Sequence, residues 1–318
     1  MELIDRVVHR LKLRDLRVLD TVVRSKSMAR AAAQLNLSQP AVSKAVLEME
    51  RMLGVRLLDR SRQGIEPTPY GRALLKTGLV IFDDLRQGVQ EIEFLSDPTA
   101  GEVRIGATGP MTAGILPFIF DRISRRHPRI VFQVTPFGAG TQQARELRER
   151  NVDLSLGRLV GARKEDDLAT EILFDEPMFV VAGVQNPLVR RRKIAFAELV
   201  NELWILPPPE TAVAGFVREL FKAGGLDTLP LGIISGSIQL QYDMLATGRF
   251  LTLFPRSVLH FGSKRMAIKV LPVELPTRLV AQLAPVGITT LKNRTISPVA
   301  ELFLQTVREI AKPLAKEK

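Results

Sequence analysis

Residues 27–68 constrain the fold of this 318-residue chain more than any other stretch. Within them, 38–53 is predicted to be a helix. Ser38 is a good N-cap, Pro40 is tolerated in a first turn, and Val42, Val46, Met49 and Leu53 recur at four, three and four, which places them on one core face. The opposite face offers Gln39, Ser43 and Lys44 at its amino-terminal end, side chains able to hydrogen-bond base edges or phosphates. Just upstream, Ser27 caps a second short helix over 28–35. The run Ala31-Ala32-Ala33 lets another backbone come close, and Asn36-Leu37 is the whole connection to Ser38. Two helices joined by so tight a turn make a helix-turn-helix. Gly54 closes the pair, and Val55 and Leu57 alternate with Arg56 before Arg60, Arg62, Gln63-Gly64, Ile65 and Glu66-Pro67-Thr68. That segment reads as a small hairpin wing whose cations straddle a phosphate backbone.

Charge supports a polyanionic partner. Residues 1–70 hold 13 Lys and Arg against 8 Asp and Glu, so +5 of the net +11 falls in that short segment. A basic balance alone also suits an anionic membrane, so it points to nucleic acid only together with the motif. No apolar run approaches the ~18 residues needed to cross a bilayer, and residues 1–6 lack the apolar segment of a secretion signal. A cytoplasmic protein with no membrane partner is expected. Zero cysteines exclude disulfides, thiolate metal sites and cysteine nucleophiles. His9, His127 and His260 sit at no metal-ligand spacing, and no nucleophile elbow, phosphate loop or zinc signature is present. Gly138-Ala139-Gly140 lacks the rest of a dinucleotide fingerprint. Binding without turnover is therefore expected, with no catalytic residue, metal or cofactor.

The length suggests two or three compact units. Residues 1–12 form a short basic lead-in, and Leu16, Leu19 and Val23 mark a first helix that packs beneath the reading pair. Thr68-Pro69 opens a helix that nothing interrupts until Asp97-Pro98. Leu74, Gly78, Ile81, Leu85, Gly88, Ile92 and Leu95 recur there at alternating four and three, the seam that pairs two helices. At 1.5 Å per residue this is roughly 40 Å of helix, too long to be buried in a small domain. After Pro98 the texture changes to strands alternating with helices, which implies a parallel sheet covered on both faces, first over 101–157 and again from 178. Residues 278–284 and a helix over 298–315 return the chain to the first lobe.

Ligands of such sheets bind beyond the carboxyl ends of the strands, where helix amino termini favour anions. Those ends carry Thr108, Met111 and Thr112; Phe137; Arg158; Pro208; and Ser235 and Ser237. Hydroxyls, two bulky apolar side chains and one guanidinium suit a small anion with a carbon skeleton. Arg158 is able to hold a carboxylate bidentately.

The run Ala31-Ala32-Ala33-Gln34-Leu35-Asn36-Leu37-Ser38-Gln39-Pro40-Ala41-Val42-Ser43, then Leu53-Gly54-Val55-Arg56-Leu57-Leu58-Asp59-Arg60 and Pro67-Thr68-Pro69-Tyr70-Gly71, resembles the LysR-type transcriptional regulators. The match joins residue identity and spacing over the helix-turn-helix and wing, and extends to the whole chain by length and layout. It departs from the usual pattern in its extra residues before the first helix and in Tyr70. The resemblance implies an α/β chain in three parts. These are a winged helix-turn-helix DNA-binding domain over 1–68, a linker and dimerisation helix over 69–97, and an effector-binding domain over 98–318. The last resembles the two-lobed periplasmic-binding-protein fold, with lobe 1 about 101–171 and 274–318 and lobe 2 about 172–273. Carried onto this chain, the motif assigns Gln39, Pro40 and Ser43 to bases and Ser27, Arg30, Ser38, Lys44, Arg51, Arg60 and Arg62 to phosphates. The implied partners are double-stranded promoter DNA, a metabolite in the cleft, a second copy or four copies of the chain, and RNA polymerase. The competing reading is a small-molecule-binding protein or enzyme whose amino-terminal helices serve only association.

Overall fold

The computed structural model describes residues 3–61, 64–138, 141–160, 165–226, 230, 232–262 and 267–316. The chain divides into two compact units, one ending at Arg86 and the other starting at Gln87.

The first unit opens with helices α1 (Leu3–Arg10), α2 (Leu13–Ser25), α3 (Met28–Gln34) and α4 (Gln39–Leu53). Ser27 and Ser38 cap the last two, accepting from the amides of Arg30 at 3.4 Å and Ala41 at 3.3 Å. The connection turns at Asn36, whose φ of 54° is one that asparagine tolerates better than most residues. Val42, Val46 and Met49 are buried against Val18, Leu19, Val22, Ala31 and Ala32, the core the apolar spacing implied. Strands β1 (Leu58–Ser61) and β2 (Gly64–Pro67) pair antiparallel to form the wing. β1 starts later than the alternation from Val55 suggests. The Glu50 carboxylate accepts from the amides of Leu57 at 2.8 Å and Leu58 at 3.3 Å and holds that stretch as a turn. Helix α5 (Pro69–Ser96) follows, with Thr68 Oγ1 accepting from the Gly71 amide at 3.1 Å. Gly71 is required here because a Cβ would lie 2.1 Å from the Leu57 carbonyl oxygen.

In the second unit, β3 (Ala100–Ala107) leads to α6 (Gly109–Ala113), α7 (Leu116–Ser124), β4 (Arg129–Pro136), α8 (Thr141–Arg148), β5 (Leu154–Arg158) and β6 (Leu168–Phe174). The chain then crosses to β7 (Met178–Gly183), β8 (Leu203–Leu206), α9 (Ala214–Ala223), β9 (Gly232–Ile234), α10 (Ile238–Ala246), β10 (Phe250–Pro255), α11 (Arg256–Gly262), β11 (Ile268–Val270) and α12 (Thr277–Val280). It returns through β12 (Val286–Leu291) and α13 (Pro298–Lys316). One sheet has the order β4-β3-β5-β12-β6 and the other β11-β7-β10-β8-β9. Each lobe buries its own apolar core, one around Ile105, Ile119 and Phe303 and the other around Trp204, Leu220 and Phe221.

Three expectations need correction. The sheets are mixed, because the return strand β12 inserts antiparallel between β5 and β6 and β7 runs antiparallel to β10 and β11. Residues 278–284 do not carry the return: α12 packs on the second core through Leu279, and the β-branched run of β12 enters the first sheet. The crossovers therefore fall between Phe174 and Met178 and between Val280 and Val286, later than 172 and 274. Gly114 separates α6 from α7, and a Cβ there would meet the carbonyl oxygens of Pro110 at 2.9 Å and Ser257 at 3.2 Å.

Candidate functional site

The amino-terminal tip of α4 is polar and open. Gln39, Pro40 and Lys44 are exposed and Ser43 half-buried, so none belongs to the core their helix covers. Lys44 Nζ lies 3.8 Å from Glu48, an exposed pair with little hold on either side chain. Arg30 and Arg51 are exposed. Ser27 and Ser38 use their side-chain oxygens as helix caps, so each fixes a helix start at the face it was assigned to touch. Arg60 stands in β1, but its side chain lies outside the described residues, as does all of Arg62. Arg56, read among the wing cations, is exposed at the base of the wing. One exposed residue escaped the sequence reading: Leu47 lies one turn beyond Ser43 on the same face at 44% exposure. The core spacing of Val42, Val46, Met49 and Leu53 leaves Leu47 off the buried face, which was the signal available for it.

The predicted pairing seam on α5 is divided. Leu74 packs into the helix-turn-helix core, and Gly78 faces Leu16, whose Cβ would be 3.7 Å from a Cβ placed there. Both serve the fold of their own chain, because α2 occupies that side of the helix. Ile81, Leu85 and Ile92 stand exposed at 37%, 52% and 66%, and nothing lies within 4 Å of a Cβ placed on Gly88. An apolar stripe with a small residue at its middle is thus left uncovered.

In the second unit, a cavity of about 370 Å³ opens between the lobes. Thr108, Met111, Phe137, Arg158 and Ser235 line it, as the strand-end rule anticipated. Three other anticipated residues do not. Thr112 donates to the Gly109 carbonyl at 2.7 Å and Ser237 caps α10 by accepting from the Leu240 amide at 3.3 Å; both face a neighbouring cavity. Pro208 lines neither cavity, its place in the wall being taken by Pro207.

Arg158 is buried, and its guanidinium donates to the carbonyls of Ala284 and Glu176, each at 2.7 Å. Those carbonyls belong to the two crossovers, so the side chain expected to clamp a carboxylate also ties the connections between the lobes together. Sequence reading missed Glu176, which lines the cavity at 3% exposure. Its Oε1 accepts from the Ser257 amide at 2.9 Å, and Oε2 has no partner among the described residues. Burial pushes the Glu176 carboxyl above the ordinary carboxylate range, against the opposing pull of the Ser257 amide and Arg158. It also missed Gln241, which donates to the Ser235 carbonyl at 3.0 Å while its Oε1 is unpartnered. Neither had a local signal, since each gains its place only when distant segments meet.

A carboxyl raised in the folded state binds its proton more tightly there than in the unfolded chain. Stability is therefore lost as pH rises from the ordinary carboxyl value towards the folded one. Glu176→Gln should raise the melting temperature at pH 7 relative to the parent, with the difference shrinking as pH falls towards the ordinary carboxyl value. Thermal melts across pH 4–8, where folding allows, check this; an increment independent of pH would contradict it.

Among the described residues, no cluster of three or more His, Cys, Asp or Glu is placed to hold a metal, and no helix is long and apolar enough to cross a membrane. Comparison with known proteins places this geometry. The model of the LysR substrate binding domain matches residues 96–312, and that of the bacterial regulatory helix-turn-helix protein, lysR family, matches 13–72. The chain is 29% identical to the transcriptional regulator GbpR of Azospirillum brasilense over 94% of its own length and 86% of the relative. It is 28% identical to the transcriptional regulator PcaQ of Agrobacterium fabrum over 96% of each chain. Among solved structures, a full-length OxyR variant from Pseudomonas aeruginosa superposes with a TM-score of 0.64 at 22% identity, covering 98% of this chain and 99% of that one. Full-length CbnR in complex with its target DNA superposes at 0.62 and 20% identity, covering 94% and 100%.

Proposed function

Because the chain belongs to the LysR family of DNA-binding transcriptional regulators, we propose that its interlobe cavity takes a small organic acid or sugar-derived anion that alters how the α4 tips of a homo-oligomer engage promoter DNA. The observation that carries this is the composition of the cavity wall. Elements of both lobes line it, so a ligand that touches both stabilises one lobe arrangement over others and shifts the population. Arg158 keeps its charge there, since burial lowers a guanidinium only from a very high starting value. Burial moves Glu176 towards its neutral form, which lessens its opposition to an anion beside Arg158.

On this reading Gln39, Pro40 and Ser43 meet bases, with Arg30, Lys44 and Arg51 on phosphates. Lys44→Ala should weaken binding to all duplexes alike and reduce the slope of log affinity against log salt by about one. Fluorescence anisotropy at several salt concentrations checks this, and an unchanged slope counts against the contact. The chain pairs as a dimer or tetramer through α5, works in the cytoplasm where its DNA lies, contacts RNA polymerase, and turns over no substrate.

A thermal-shift screen of small organic acids and sugar derivatives on the full chain tests the cavity. A true effector raises the melting temperature in a concentration-dependent way, by about 2.7 kcal/mol of added stability at a hundredfold its Kd. The same compound then changes operator affinity. Stabilisation by uncharged compounds alone, or by acids that leave DNA binding unaltered, contradicts the reading.

A further inference from the structure

Beside the cavity just described lies a second, of about 420 Å³. Gly109, Gly236 and Ile238 line both, so the two share a wall made from each lobe. The chemistry of the second is different. Three aromatic rings face it: Phe118 at the start of α7, Tyr242 on α10 and Phe261 on α11. Phe118 and Phe261 lie with centroids 4.8 Å apart and tilted by 43°. Ala113 and Pro117 add apolar surface, and none of the described residues that line the cavity carries a charge.

One polar group in this wall lacks a counterpart. Tyr242 is 7% exposed, and its hydroxyl has no hydrogen-bond partner among the described residues. A buried hydroxyl without a partner is costly, and tyrosine hydroxyls normally find one. Gly262 adjoins the Tyr242 hydroxyl, and a Cβ there would crowd that oxygen at 2.9 Å. Burial raises the phenol further from ionisation, so the hydroxyl is a neutral donor and acceptor.

We propose that this cavity is a second ligand site, taking a small uncharged aromatic molecule whose hydroxyl or carbonyl pairs with Tyr242. The ring stacks among Phe118, Phe261 and Tyr242. A carboxylate finds no cation among the described lining and pays the desolvation of its charge uncompensated. The site is distinct from the anion cavity, and the proposal stands whether or not that cavity takes an anion. The shared glycines and Ile238 give the two sites a common wall through which the binding of one ligand alters the other.

Ligand-observed ¹⁹F NMR on the full chain, with 4-fluorophenol as probe and 4-fluorobenzoate as its charged counterpart, tests the site. The expected result is saturable binding of 4-fluorophenol with a Kd of about 1 mM or below, and weaker binding of 4-fluorobenzoate. Tyr242→Phe keeps the ring and loses the hydroxyl, and should weaken 4-fluorophenol about three- to tenfold. Ala113→Phe fills the cavity and should weaken it at least about tenfold. Thr211→Phe narrows only the first cavity and should leave the Kd within about twofold. If Ala113→Phe fails to fold, the Tyr242→Phe arm decides. The proposal is overturned by absence of saturable binding up to about 10 mM, by preference for the carboxylate, by an unchanged Kd in Tyr242→Phe, or by loss of binding in Thr211→Phe.

Discussion

Replacing Gln39 and Ser43 together with alanine should lower affinity for the operator about a hundredfold while leaving affinity for unrelated duplex nearly unchanged. A glutamine paired bidentately with a base edge contributes about 1–3 kcal/mol of discrimination, and a serine hydroxyl adds a smaller amount, for a total near 2–3 kcal/mol. Nonspecific affinity rests on phosphate contacts, which these residues do not supply. Gln39 is exposed and Ser43 half-buried, and the core beneath them is Val42, Val46 and Met49, so the melting temperature should stay close to the parent's. Fluorescence anisotropy with operator and scrambled duplexes reads both numbers. Were the amino-terminal helices only an association device attached to a metabolite-binding protein or enzyme, the double variant would behave as the parent in every assay.

The second large effect is expected at α5. Leu85→Asp should convert the oligomer to a smaller species by sedimentation velocity and weaken operator binding about 10²- to 10⁴-fold, the advantage that two linked binding modules hold over one. Leu85 is 52% exposed in the isolated chain, flanked along the helix by exposed Ile81 and Ile92, with Gly88 free of neighbours between them. Burying such a leucine contributes about 1.5–3 kcal/mol per copy, and a pair of facing carboxylates removes that and adds charge desolvation. Because Leu85 lies outside the helix-turn-helix core, the variant should keep its melting profile for the first unit. Leu74 and Gly78, by contrast, are spent within their own chain, so changing them should damage folding before it damages pairing. An unchanged sedimentation coefficient for Leu85→Asp would place the seam elsewhere.

Local chemistry made the first unit readable. The serine caps, the terminating Gly54 and the apolar spacing of α4 each act over a few residues, and the folded unit uses all of them as anticipated. The wing was displaced because the Glu50 carboxylate, seven residues away from Leu57, decides where pairing begins. In the second unit the alternation of strands and helices was visible, but its direction was not. β12 and β7 run antiparallel to neighbours far away in sequence, and nothing within Val286–Leu291 marks that orientation. Most of the seam residues read from the α5 heptad stand clear while Leu74 and Gly78 are covered, because periodicity reports an apolar face without saying which chain covers it. The cavity repeats that pattern. Thr108, Met111, Phe137, Arg158 and Ser235 followed from their strand ends, whereas Glu176 and Gln241 enter the wall from a crossover and a helix face. Arg158 showed the limit of reading a residue by type, since its donors are shared with two backbone carbonyls that only the folded chain brings near.

The most direct test is a footprint of the full chain on the intergenic DNA beside its own gene, at several salt concentrations. The result expected is protection of two related half-sites, with centres one helical turn or a multiple of it apart, that weakens steeply as salt rises. Protection confined to a single half-site, or none at any salt concentration, would contradict a paired helix-turn-helix reading duplex DNA.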